Sequence, residues 1–231
     1  MKPFQFKNFT IQQSGNVFRV GTDGVLLGIL CSANPSNKIL EAGTGTGLIS
    51  LMIAQRNPNA EIMAIDINEE ATNLAEENFK NSPFNSRLKA INQDFKTFES
   101  KEKFDLIVSN PPYFEENSSE KDILARQTIE LNFQQLISKS SQLLTENGVF
   151  SVIIPFETGE SFIKIAQENQ LFLNRKINIY GIENSKIKRL VLEFSFHQKK
   201  LQESDFVIEK STRKYSDQYL ELTKEFHVFN K

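Results

Sequence analysis

A length of 231 residues, 39% hydrophobic and 24% charged, is that of an ordinary globular chain and excludes disordered and collagen-like classes. One cysteine, Cys31, excludes an internal disulfide, and two distant histidines, His197 and His227, supply neither a structural zinc site nor a Cys/His or Ser/His/Asp nucleophile. The net charge of −2 hides basic ends around an acidic body, +3 over residues 1–20, −9 over 21–174 and +4 over 175–231, which is compatible with a nucleic-acid partner.

The N-terminus has no apolar segment of a secretory signal, and no run approaches a membrane span, so a cytoplasmic location with no membrane contact is expected. A short strand or turn around Gly15-Asn16 precedes a helix predicted over Asp23–Ala33. Apolar runs then predict strands at Lys38–Ala42, Glu61–Asp66, Leu88–Asp94, Phe104–Asn110 and Gly148–Pro155. Between them, apolar residues at three- and four-residue spacing predict helices at Leu48–Arg56, Glu69–Asn81 and Leu131–Leu144. This alternation implies βαβ units in a parallel sheet. The acidic stretch Phe114–Lys121 reads as an active-site loop. A helix near Ser161–Asn169 and strands at Leu173–Tyr180 and Leu190–Phe196 follow, and the short polar link Ile182–Lys188 makes that last pair antiparallel. The expectation is one α/β domain with a seven-stranded, mostly parallel sheet, an antiparallel hairpin at one edge and helices on both faces. Residues 1–37 form an N-terminal extension, 38–200 the core, and 201–231 a C-terminal strand and helix.

Glu41-Ala42-Gly43-Thr44-Gly45-Thr46-Gly47 joins the first long strand to a helix, where open α/β sheets bind ligands. A dinucleotide fingerprint would need glycine at Leu48, and a phosphate loop would need a lysine that is absent. An acidic residue before Gly-x-Gly-x-Gly resembles the first motif of the class I methyltransferases. The resemblance implies S-adenosylmethionine as cofactor, with the loop backbone, Gly43, Thr44, Gly45 and Gly47, against its methionine part and Glu41 near the amino acid group. Asp66, ending the next strand, can accept from two ribose hydroxyls. Asp94, ending the third, stands where the class recognises the cofactor adenine, and Ile67 and Phe95 adjoin these acids to sandwich the ring.

Asn110-Pro111-Pro112-Tyr113 ends the fourth strand. The residue before proline is held extended and Pro-Pro stiffens the chain after it, so Asn110 is presented from a rigid edge beside the cofactor. An exocyclic amine conjugated to a ring is a poor nucleophile. Two acceptors on its N–H bonds, the Asn110 amide oxygen and the Pro111 carbonyl, draw it towards a tetrahedral nitrogen with an available lone pair. Tyr113 is suited to stacking on a base that has left its neighbours. The tetrapeptide identifies an amide or amino nitrogen and no more, because glutamine methyltransferases of translation release factors carry the same four residues.

The flanks choose between them. Val20-Gly21-Thr22-Asp23-Gly24-Val25-Leu26-Leu27-Gly28, Ala125-Arg126, Lys188-Arg189-Leu190-Val191-Leu192 and Tyr215-Ser216-x-x-Tyr219-x-x-Leu222-Thr223-x-x-Phe226 together resemble the bacterial tRNA1(Val) adenine N6-methyltransferase family over nearly the whole chain. That resemblance implies tRNA as substrate, at the adenine 3′ of the anticodon. It implies that Val20, Thr22 and Asp23 line the cofactor site, that Phe4–Val20 covers it, and that Arg126 and Arg189 contact phosphate. Lys186, Lys188, Lys199, Lys200, Lys210, Arg213 and Lys214 are expected to form a basic rim, which makes tRNA affinity fall steeply with salt. The chain is expected to act as a monomer without a metal ion.

Overall fold

The computed structural model describes every residue except 16, 18, 19, 35, 113–132 and 228–231. A small hairpin of β1 (Phe4–Gln5) and β2 (Thr10–Ile11) leads to α1 (Thr22–Leu30). The βα units follow as β3 (Lys38–Ala42), α2 (Leu48–Arg56), β4 (Glu61–Asp66), α3 (Glu69–Lys80), β5 (Leu88–Asn92) and β6 (Phe104–Ser109). After α4 (133–143) come β7 (Leu144–Pro155), α5 (Gly159–Glu168), β8 (Phe172–Ile182) and β9 (Ile187–Ser195). The chain continues as β10 (Gln202–Ser211), β11 (Lys214–Tyr215) and α6 (Asp217–Thr223).

The large sheet has the order β11-β10-β8-β9-β7-β6-β3-β4-β5. Successive residues of its strands enter separate cores, because side chains alternate across a sheet covered on both faces. Ile39 and Val108 pack with α1, α2 and α3, whereas Leu40, Ile107 and Ile154 pack with α4 and α5. The expected count of seven strands is corrected to nine. The β8–β9 pair is antiparallel as read, but it does not close the edge: β10 crosses over to pair parallel with β8, and β11 folds back on β10.

This added edge is sealed by side chains. The Gln218 amide accepts from Val207 N–H at 2.9 Å and donates to Asp205 carbonyl at 3.0 Å, imitating one residue of a neighbouring strand. Ser216 N–H donates to Ile208 carbonyl at 2.9 Å, so backbone groups that would otherwise recruit a foreign strand are occupied.

Helix α1 lies close along α2 because glycines four residues apart face it. A Cβ on Gly24 would stand 3.1 Å from Leu48, and one on Gly28 would stand 2.9 Å from Met52. The two helices run parallel, which brings the first turn of α1 beside the end of the glycine loop. Among the described residues no helix is long and apolar enough to cross a membrane.

Candidate active site

β3 runs into the glycine loop, whose three glycines all adopt the left-handed conformation, with φ of +77°, +56° and +80° at Gly43, Gly45 and Gly47. They serve different ends. A Cβ on Gly47 would meet the Phe79 ring at 2.5 Å, so this glycine lets α2 start hard against α3. Nothing stands within 4 Å of a Cβ built on Gly43 or Gly45, so these two border open space. The turn is braced from below by Gly43 N–H and Thr44 N–H, both donating to Ile65 carbonyl, at 2.8 and 3.1 Å.

Glu41 is fully buried. Its Oε2 accepts from Thr44 Oγ1 at 2.9 Å, Ser50 N–H at 3.1 Å and the Ser50 hydroxyl, while Oε1 is buried without a partner among the described residues. Burial pushes this carboxyl up to about 7; the Ser50 and Thr44 bonds oppose the rise and the Asp66 charge adds to it.

Asp66 ends β4 and spans loop and helix: Oδ2 accepts from Gly45 N–H and Oδ1 from Asn68 N–H, each at 2.9 Å. A carboxylate keeps further lone pairs beyond these two bonds. Ile67 beside it is 68% exposed, an apolar surface facing outward at the mouth of the sheet. β5 ends two residues earlier than expected, so Asp94 lies just beyond the strand and caps the short turn Phe95–Thr97 by accepting from Lys96 N–H at 2.9 Å. The Phe95 side chain is partly buried against the α4–α5 core.

From the N-terminal side, partly buried Val20 packs against the α1–α3 core, Thr22 opens α1, and Asp23 is held by Arg189 Nε at 2.8 Å. One residue that sequence reasoning missed is Asn78, 1% exposed on α3. Its Nδ2 donates to Thr46 carbonyl at 2.8 Å and Gln12 carbonyl at 3.2 Å, and its Oδ1 accepts from Gln12 N–H at 2.7 Å. It thereby pins the N-terminal segment to the glycine loop. The available signal was a polar residue on the apolar face set by Ala71, Ala75 and Phe79.

β6 lies between β3 and β7 and delivers Asn110 next to the glycine loop. Ser109 Oγ ties the two strand ends together by donating to Ala42 carbonyl at 2.8 Å. Asn110 Oδ1 is buried and has no hydrogen-bond partner among the described residues. Pro111 is half-buried and Pro112 exposed, while Tyr113, Arg126 and the 114–121 loop lie outside the described residues.

The expected basic residues divide. Lys186 and Lys188 sit at the β8–β9 turn, and Lys210, Arg213 and Lys214 at the end of β10, where the parallel strands of the sheet also end. Lys199 and Lys200 do not join them. Lys199 N–H donates to Asn174 Oδ1 at 2.8 Å near the start of β8, placing both lysines at the opposite end of the sheet. Arg189, expected at RNA phosphate, donates from Nε to Asp23 Oδ2 at 2.8 Å. Cys31 is buried, and its thiol is pushed up to about 12, first by burial. Among the described residues no cluster of three His, Cys, Asp or Glu could hold a metal ion.

Over 230 residues the chain is 55% identical to a tRNA1(Val) (adenine(37)-N6)-methyltransferase of a Flavobacteriaceae bacterium, strain 3519-10, covering 99% of this chain and 100% of that relative. The chain belongs to the tRNA1(Val) (adenine(37)-N6)-methyltransferase family. A family member from Bacteroides thetaiotaomicron is 38% identical over 229 residues, 97% of each chain. The model of the methyltransferase small domain matches residues 10–168, a stretch that contains the glycine loop, Asp66, Asp94 and Asn110 but not β8 to α6. The crystal structure of a predicted O-methyltransferase from Agrobacterium tumefaciens superposes with a TM-score of 0.71 at 17% identity, over 88% of this chain and 96% of that one, and attests the α/β fold.

Proposed function

We propose that this chain transfers the methyl group of S-adenosylmethionine to the N6 of an adenine in tRNA, the adenine at position 37 of tRNA1(Val), 3′ of the anticodon. The observation that carries the reading is the buried Oδ1 of Asn110, at the strand end beside the glycine loop, which has no hydrogen-bond partner among the described residues. Leaving a buried acceptor unsatisfied costs about 1–3 kcal/mol, so it calls for a donor brought from outside.

The residues around β3 and β4 fit the cofactor. Gly43 and Gly45 leave open space beside their backbone, Glu41 keeps one buried oxygen without a partner among the described residues, and Asp66 has lone pairs left for ribose hydroxyls. Asp94 and the flanking Ile67 and Phe95 would hold the cofactor adenine, with Val20, Thr22 and Asp23 closing the site from the N-terminal side. When bound, the cofactor supplies a methyl group already activated on a sulfonium sulfur. Asn110 Oδ1 and the Pro111 carbonyl then accept the two N–H bonds of the target amine, turning its lone pair out of the ring system. Pro111 and Pro112 keep that pair of acceptors rigid, and alignment replaces a strong base. Tyr113 would stack on the extruded base, with Arg126, Lys186 and Lys188 serving the phosphates. In this reading Arg189 acts through Asp23 and holds it in place.

The same reading takes residues 1–231 as one domain, with 1–37 over the cofactor site and 201–231 as an appended strand and helix. It places the enzyme in the cytoplasm as a monomer that needs no metal. Incubation with labelled S-adenosylmethionine and total tRNA, followed by digestion to nucleosides, is expected to give labelled N6-methyladenosine. Label in N5-methylglutamine of added protein, and none in tRNA, would overturn the substrate assignment.

A further inference from the structure

Five aromatic rings in near-parallel planes connect the two ends of the chain. Phe9 stacks on Phe6 (centroids 4.7 Å, planes 25° apart), Phe6 on His227 (5.5 Å, 23°), His227 on Tyr219 (6.2 Å, 23°), and Tyr219 on Tyr215 (4.5 Å, 19°). Phe9, Phe6 and Tyr219 are buried, and burial lowers the His227 pKa. Tyr215 is the exception, a large ring 43% exposed. Its own position is set by a tight return from β10, in which Arg213 takes a φ of +63° that non-glycine residues adopt rarely.

We propose that Tyr215 is a stacking platform for an unpaired base of the RNA substrate, a nucleotide other than the one methylated; this rests on the reading of the chain as a tRNA methyltransferase. β10 runs parallel to β8 and in the direction of β6, so Tyr215 and Asn110 belong to the same end of the sheet. The order β6-β7-β9-β8-β10-β11 separates them by five strand spacings, roughly 24 Å. A base held at Asn110 does not reach that far, whereas other nucleotides of a folded RNA arm do.

The surroundings suit a nucleic acid. Lys210, Arg213 and Lys214 flank the ring, and Lys186 and Lys188 stand on the neighbouring β8–β9 turn. The same turns carry Glu183, Glu209 and Asp217. Asp217 pairs with Lys210 at 3.4 Å in an exposed, screened contact, and Glu209 accepts from Arg213 N–H at 3.1 Å. Cations therefore outnumber acids, and the aromatic surface lies among them, the combination by which proteins hold unpaired bases. Because the tyrosine is already fixed against Tyr219, little conformational freedom remains to be lost when a base stacks on it.

The test is the affinity of wild-type protein and of Tyr215→Ala, Tyr215→Phe and Tyr215→Leu for a tRNA1(Val) transcript, with thermal melting and S-adenosylmethionine calorimetry on each. Tyr215→Ala is expected to bind the transcript about tenfold more weakly, Tyr215→Leu to lose most of the same affinity, and Tyr215→Phe to match wild type, with cofactor affinity unchanged throughout and melting lowered by no more than a few degrees where the stack on Tyr219 is lost. Wild-type affinity in Tyr215→Ala, or equal loss in Tyr215→Phe, would overturn the proposal. Failure of the wild-type protein to bind the transcript would instead overturn the tRNA reading beneath it.

Discussion

At the ends of β3 and β4 every carboxylate oxygen of Glu41 and Asp66 except Glu41 Oε1 has a donor, whereas at the end of β6, beside β3, the amide oxygen of Asn110 has none among the described residues. Asp66 gives one oxygen to Gly45 and one to Asn68, and Glu41 Oε2 gathers three donors. Asn110, by contrast, buries an amide oxygen with no donor among the described residues. The first region is held in shape by its own hydrogen bonds, and the second leaves an acceptor without a described donor. In the function proposed above, pre-organisation and unsatisfied valence divide two tasks, binding the methyl donor and activating the acceptor amine.

Mutations should separate the two regions. The largest effect is expected for Asn110→Ala, a loss of turnover of about 10²–10³-fold or more, with cofactor affinity by calorimetry within a few-fold of wild type. Equal turnover would erase the distinction. Asp66→Ala is next: loss of hydrogen bonds to the ribose and of the brace on Gly45 should weaken cofactor binding about 10–100-fold, while turnover at saturating cofactor falls less.

Gly47→Ala probes the cradle as structure. Its Cβ has no room against Phe79 and its φ is left-handed, so denaturant unfolding should show a loss of about 1–3 kcal/mol. The smallest effect is expected for Glu41→Gln. Because the folded-state carboxyl is raised to about 7 from an ordinary 4.5, its protonated form contributes stability that is complete below pH 4.5 and fades as pH rises through 7. Thermal melts without ligand at pH 5 and pH 8 should therefore show the wild type losing ground to Glu41→Gln at the higher pH, and a constant difference would count against the buried acid as described.

What could be read in advance follows the range of the interactions. β3, α2 and β4 have their predicted limits, because alternating or helical apolar spacing and a glycine loop are local signals. The order of Glu41, Asp66 and Asn110 along adjacent strand ends follows from the βαβ winding. β10 was expected as an appended strand, but its place beside β8 depends on a crossover held by Asn174, and its seal depends on Gln218; neither partner is signalled by nearby residues. The Asp23–Arg189 pair joins residues 166 positions apart, and Lys199 and Lys200 could be excluded from the site only once the strand directions were known. Asn78 carries only a weak local signal, because a polar residue on a helix reads as surface until its partners, Gln12 just after β2 and Thr46 in the loop, are seen.

The most direct measurement is a crystal structure of the protein with S-adenosylhomocysteine and the anticodon stem-loop of tRNA1(Val). The account predicts the target adenine extruded into the site, with N6 within about 3.2 Å of both Asn110 Oδ1 and the Pro111 carbonyl oxygen. An adenine bound with its N6 away from both oxygens, or an Asn110 side chain turned out of the site in the complex, would contradict it.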